Sequence, residues 1–190
     1  MKKLTAAVLL SSAVIGLTAC QTNQSEVAAE APAQELKPQL NNQDLYEVVH
    51  DGRHYVFDDF ATYQQFLTVG ETSYRKVFIG EGPHGKTLVF GLRGEDKKKL
   101  TGLAGVEMYN GRMPAADDFY GEMRGEDGRL YVFSELEDMK PVREHGEAAY
   151  RLTQIGVGPQ NQTVVFVLNG SNKKEYPAAL VAKFKEVNSL

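Results

Sequence analysis

DGRHYVF at residues 51–57 returns as DGRLYVF at 127–133, and that recurrence organises the whole chain. Outward from it, GETSYR (70–75) returns as GEAAYR (146–151), and IGEGP (79–83) as IGVGP (155–159). TLVFGLRGEDKK (87–98) returns as TVVFVLNGSNKK (163–174). From Asp51 the offset is a constant 76 without a gap, with about 21 of 48 positions identical. Before Asp51, Asp44-Leu45-Tyr46 matches Asp118-Phe119-Tyr120 at an offset of 74, which puts two extra residues in the second copy near 124–126. Self-similarity at a fixed period marks a duplicated structural unit. Repeat 1 is expected over 44–117 and repeat 2 over 118–190, joined in one compact pseudo-symmetric body.

Each copy reads as strand, turn, strand, helix, strand, turn, strand. Asp51-Gly52 and Asp127-Gly128, flanked by apolar runs, predict type I′ hairpins. Asp58 stands where a helix cap is needed ahead of Phe60, Tyr63, Phe66 and Leu67, which share a helical face. In the second copy Ser134 and Glu137 have capping-box spacing, and Pro141 is expected to kink or shorten the helix. Gly70 and Gly146 follow the two helices where left-handed caps belong. The last segments pose a choice: Leu180, Phe184 and Val187 share a helical face. Aligned with Ala104–Tyr109, however, Leu180, Ala182 and Phe184 match Ala104, Val106 and Met108 at period two, beside Gly102, Gly105 and Asn110-Gly111, and a fifth strand is expected in both copies. The predicted architecture is α+β: a tandem duplication of a ββαββ unit with a mainly antiparallel sheet about a pseudo-two-fold axis.

The N-terminus carries a different signal. Met1-Lys2-Lys3 is a short positive segment, and Leu4–Leu17 is apolar but too short to span a bilayer comfortably. Leu17-Thr18-Ala19-Cys20 resembles the lipobox of bacterial lipoproteins. The resemblance implies a signal peptide at 1–19, cleavage before Cys20, and acyl chains on the Cys20 thiol and amine, which hold the protein to a membrane. In that family an inner-membrane retention signal has Asp after the cysteine. Gln21 stands there, so the outer membrane is the expected location, on either its periplasmic or its surface face. Residues 20–43 are rich in Gln, Ala, Asn, Glu and Pro and are expected to form a lipidated flexible tether with a reach of about 25 Å.

The full chain has a net charge of −4, and loss of Lys2 and Lys3 with the signal peptide makes it −6. That balance lacks the basic footprint of a nucleic-acid binder. Cys20 is the sole cysteine, so no disulfide can form within the chain and the core alone must hold the fold.

Several residues could carry function. Tyr74-Arg75 and Tyr150-Arg151 recur just after Glu71 and Glu147. In a binding reading the arginine meets an anionic group while the tyrosine stacks or donates a hydrogen bond. In a structural reading the tyrosine fills core and the arginine sits in a buried ion pair contributing more than about 1.5 kcal/mol, above the exposed-pair range. Arg53 and Arg129, beside the hairpin turns, present the same choice. His50, Asp51, His54, Asp58 and Asp59 crowd one hairpin, but the second copy lacks the set, so no metal site is expected. The stretch from Tyr46 through Asp59 is also similar to the start of a YHS domain, a small metal-associated module. It lacks that module's cysteine, so no ligand set carries over. No motif for nucleophilic or metal-dependent catalysis occurs, and neither an enzyme nor a cofactor is expected. The expected role is a non-catalytic binding or scaffolding component of the cell envelope, with an envelope protein or polysaccharide as partner. A small-ligand or metal-binding module is the alternative, and an envelope hydrolase the remote one.

Overall fold

The computed structural model describes residues 40–190. The signal segment, Cys20 and most of the expected tether lie outside the described residues. The last tether residues belong to the folded body. Leu40 packs on the core, Asn42 Nδ2 donates to the Pro114 carbonyl at 3.1 Å, and the Gln43 carbonyl accepts the Tyr120 N–H at 2.8 Å.

β1 (Asp44–His50) and β2 (Arg53–Phe57) form a hairpin whose turn residues Asp51 and Gly52 have φ of 54° and 70°. Two successive positive φ values are the type I′ geometry that matches strand twist. α1 (Phe60–Val69) begins at Asp59, whose carboxylate accepts the Thr62 N–H at 2.7 Å, and ends at Gly70 with φ 79°. Asp58, expected as the cap, accepts the Gly105 N–H at 2.9 Å instead. β3 (Arg75–Phe78) and β4 (Thr87–Gly91) are joined by a loop with one 3₁₀ turn, and α2 (Ala104–Tyr109) follows. β5 (Tyr120–Arg124), β6 (Leu130–Phe133), α3 (Met139–His145), β7 (Tyr150–Gln154), β8 (Val164–Leu168) and α4 (Ala178–Val187) complete the chain.

The eight strands lie in one sheet in the order β3-β4-β2-β1-β5-β6-β8-β7. β1/β2, β3/β4, β5/β6 and β7/β8 are antiparallel, whereas β2/β4, β6/β8 and the central β1/β5 are parallel. The sheet is therefore mixed, its antiparallel pairings outnumbering the parallel ones only four to three. Each second strand of a hairpin pairs in parallel with a strand reached through a helix crossover, which a hairpin-only reading cannot anticipate. Pairings among β5–β8 have the same pattern as those among β1–β4.

Helices cover both faces. α2 and α3 pack on one face with Leu45, Val56, Phe90, Phe133 and Val165. α1 and α4 pack on the other with Tyr46, Tyr55, Phe57, Val132 and Phe166. The expected fifth strands are thus helices. Alternation and helical spacing fit these short segments equally, but each sheet face still needed cover, and Ala104, Met108, Leu180, Val181 and Phe184 supply it. α3 also starts later than its capping box suggested, after Asp138. Pro141 then falls in the first turn, where its missing N–H costs nothing, so the helix is late and not kinked.

Strand pairing revises the alignment of the first hairpins. Glu47 stands opposite Val56, and Glu122 opposite Val132. These two glutamates share a rung at an offset of 75, so the second hairpin has one extra residue, not two. That residue changes the turn: Gly125 N–H bonds to the Arg129 carbonyl at 3.1 Å, and only Gly128 in the loop takes positive φ, at 76°. This is a three-residue loop in place of the predicted type I′ turn at Asp127-Gly128.

Gly91 marks the tightest approach of strand to side chain, since a Cβ there would stand 2.2 Å from Phe57 Cε1. Gly91→Ala is expected to destabilise by about 1–3 kcal/mol through overpacking. Urea melts would check this, and an unchanged midpoint would show that the Phe57 ring can yield freely.

Candidate functional site

Both faces of the central strands are covered, so a polar residue in the middle of β1 or β5 is enclosed. Glu47 and Glu122 are each 0% exposed. They lie on opposite faces, and each is met by a helix from the other half of the chain. On the first face, Arg143 of α3 grips Glu47 through two bonds, Nε to Oε2 at 2.9 Å and Nη2 to Oε1. His54 Nε2 lies 2.6 Å from the same Oε2. The Arg143 guanidinium also rests 4.1 Å from the Tyr109 ring centroid. Burial by itself would raise the Glu47 carboxyl, but Arg143, with help from His54, outweighs it and holds the group at about 2.

On the second face Glu122 has neutral donors. Tyr120 Oη donates at 2.6 Å, Tyr63 Oη at 3.0 Å and Asn188 Nδ2 at 2.7 Å. Arg124 Nε reaches only as far as the Tyr63 hydroxyl, at 2.9 Å. Burial, and then the Glu122 carboxyl, push the Tyr63 and Tyr120 hydroxyls far above their ordinary range, which keeps both as donors. Beside Arg143 lie two concavities. One, of about 210 Å³, is lined by His54, His84, Lys86 and Tyr131. The other, of about 630 Å³, runs between α2 and α3 past Tyr109, Met113, Leu136 and Lys140.

The residues singled out from sequence lie elsewhere. Tyr74-Arg75 and Tyr150-Arg151 sit at β3 and β7, the outer strands at opposite ends of the sheet. Their environments match closely. Lys97 Nζ stands 5.0 Å over the Tyr74 ring, and Lys173 Nζ 4.2 Å over Tyr150. Arg75 donates to the Thr72 carbonyl at 3.4 Å and Arg151 to the Ala148 carbonyl at 2.8 Å. Their ion pairs, to Glu71 at 3.6 Å and Glu147 at 3.9 Å, are exposed, with the arginines 46% and 41% accessible. Both tyrosines are exposed as well. The structural reading, with tyrosine in the core and a buried ion pair, is thereby corrected, because outer strands have no element beyond them to bury a side chain. Arg53 and Arg129 are exposed at the hairpin ends, the first 3.5 Å from the Tyr55 hydroxyl and the second 3.5 Å from Asp127.

The histidine and aspartate cluster does not converge. His54 bonds Glu47 on one face, while His50 lies edge-on to Phe66 on the other, with ring centroids 5.8 Å apart. Asp58 and Asp59 hold Gly105 and Thr62. Among the described residues no three His, Cys, Asp or Glu side chains gather as a metal site would require. Sequence reasoning missed the two buried glutamates and Arg143. The available signal was an acid in the middle of an apolar strand run, LYEVV, whose partner lies 96 residues away.

Two outcomes follow. Glu47→Gln leaves the Arg143 charge buried and poorly paired, which should cost about 3–5 kcal/mol at neutral pH. The Glu47 carboxyl lies below its ordinary 4.5, so its stabilisation is complete above that pH and lost as pH falls toward about 2. The gap between wild type and variant, followed by denaturant melts, should therefore close over that window; a gap independent of pH would contradict the assignment. Arg75→Ala and Arg151→Ala, by contrast, should each shift stability by less than about 1 kcal/mol, as exposed pairs do.

Compared with protein-family models, curated proteins and solved structures, the chain matches none.

Proposed function

We propose that the protein is a lipid-anchored component of the outer membrane that binds or scaffolds another envelope component without catalysing a reaction. Its anchor in this reading is Cys20, by resemblance to the lipobox. Its folded body is a duplication of one unit, the halves related by a half-turn about an axis lying in the sheet between β1 and β5. Support for the duplication comes from the 76-residue recurrence, from the repeated pairing pattern, and from the exchange of faces: Tyr55 and Tyr131 occupy the same rung on opposite faces. Among the described residues no helix is long and apolar enough to cross a membrane.

One observation carries the binding role. Large apolar side chains are left in water on or just beyond both outer strands: Tyr74, Val77 and Ile79 at one, where Lys76 also bonds the carbonyl of exposed Leu100, and Tyr150 and Ile155 at the other. Exposed apolar groups so placed, at equivalent positions, mark interaction surfaces more often than they occur by accident. The groove between α2 and α3 supports the alternative, a small-ligand site, since polar Lys140 and Arg143 converge there on an apolar floor. It lies on one face only, whereas the edge arrangement is doubled.

Cys20→Ala should abolish incorporation of labelled palmitate and leave precursor in the cell envelope, because no other thiol can take the acyl group. Normal labelling would remove the anchor from the reading. The double variant Ile79→Glu/Ile155→Glu should lose the envelope component that co-purifies with the wild-type chain while melting at the same temperature. Retention of that component would shift the binding role to the groove.

A further inference from the structure

We infer that β3 and β7 are docking edges for an extended segment of another protein, one that alternates acidic and apolar residues and adds to the sheet as a further strand. This rests on the binding role proposed above and gives it a partner chemistry. Among the described residues β3 pairs only with β4, and β7 only with β8, so each presents a row of peptide groups along Arg75–Phe78 and Tyr150–Gln154. Monomeric proteins commonly protect such rows with a bulge, a proline or inward charges. Here the strands are short, four and five residues, with Arg75 and Lys76 on one and Arg151 on the other, and the turn after each sets an isoleucine in solvent, Ile79 at 87% exposed and Ile155 at 85%.

Alternation places Arg75 and Val77 on one side of β3, and Arg151 and Thr153 on one side of β7, with Ile79 and Ile155 in the turns just beyond. Both edges thus offer a cation, a β-branched residue and an isoleucine in that order. The charges in contact there are mainly positive although the chain is negative overall. Arg75, Lys76 and Lys97 outnumber Glu71, and Arg151 and Lys173 outnumber Glu147. Two copies of this chain paired edge to edge would set these cations against each other, and like charges across a strand pair are destabilising. An acidic segment meets them favourably. In strand addition the backbone bonds supply affinity and alternate side chains supply selectivity, and each edge has both parts. Seven strand spacings of about 4.8 Å separate the edges by roughly 34 Å, far enough for two segments to be held at once.

The test selects ten-residue peptides from a random phage-displayed library on the full chain in detergent. Enriched sequences should alternate acidic and apolar residues, bind with two equivalents per chain by calorimetry, and slow amide exchange at 75–78 and 150–154. Ile79→Glu should remove one equivalent and Ile155→Glu the other, with the fold intact because both side chains lie in solvent. N-methylation of alternate peptide residues should weaken binding at least tenfold in one frame and hardly at all in the other, since only one set of N–H groups faces the sheet. Equal binding of both frames, enrichment of neutral or basic peptides, no enrichment, or protection confined to the α2–α3 groove would overturn strand addition. If the double isoleucine variant nonetheless loses its envelope component, the binding role stands and only the docking mode fails. If it loses nothing, the docking mode fails and the binding role passes to the α2–α3 groove.

Discussion

Taking a carboxylate out of water costs several kcal/mol unless something in the protein replaces the solvent, and Glu47 is wholly enclosed. Its replacement comes from Arg143, which belongs to the other half of the chain. The reverse contact exists on the other face, where Tyr63 of the first half donates to Glu122 of the second. Each half thus encloses an acid that takes part of its hydrogen bonding from the opposite half, Glu47 from Arg143 and Glu122 from Tyr63. Two sheets of four strands could in principle separate at the β1–β5 seam, but separation would leave both acids without their distant partners. The seam, the seats of α1 and α3, and the exchange of faces between the halves all depend on this reciprocal arrangement.

The two acids also show how equivalent positions diverge. Glu47 is held by charge: a guanidinium gripping both oxygens, an imidazole, and an aromatic ring beneath the guanidinium. Glu122 is held by two hydroxyls and an amide. At the 76-residue offset Leu67 stands opposite Arg143, an aliphatic side chain in one half against a cation in the other. A buried acid tolerates either solution provided its oxygens are all bonded. The outer strands show the opposite trend: their tyrosine, arginine, lysine and isoleucine match at both ends although no core packing demands it. Core packing does not account for solvent-exposed positions that match across the two halves.

Much of the fold was legible because turns and caps are local chemistry. Asp51-Gly52 adopted the predicted turn, and Gly70 and Gly146 took left-handed caps, since only the neighbouring backbone decides such conformations. The misreadings share a different origin. Asp58 and Asp59 are adjacent potential caps, and the choice between them depended on Gly105, which approaches from 47 residues away. Ala104–Tyr109 and Ala178–Val187 could alternate or coil, and the uncovered faces of the sheet decided. Arg75 and Arg151 looked like members of buried pairs because sequence does not reveal which strand lies outermost.

By itself, then, the sequence established a recurring pattern, the turn of the first hairpin, the glycines that end α1 and α3, the chain's negative charge, and a segment resembling a lipobox before the folded body. These follow from neighbouring residues, whose steric and hydrogen-bonding demands are settled within a few peptide units. Tertiary structure alone decided that two hairpins meet through a parallel β1–β5 seam, that equivalent tyrosines face opposite ways, and that Glu47 finds Arg143. Those outcomes depend on which surfaces remain to be covered once every local element has formed, and burial of that kind is a property of the assembled sheet, not of any stretch of chain.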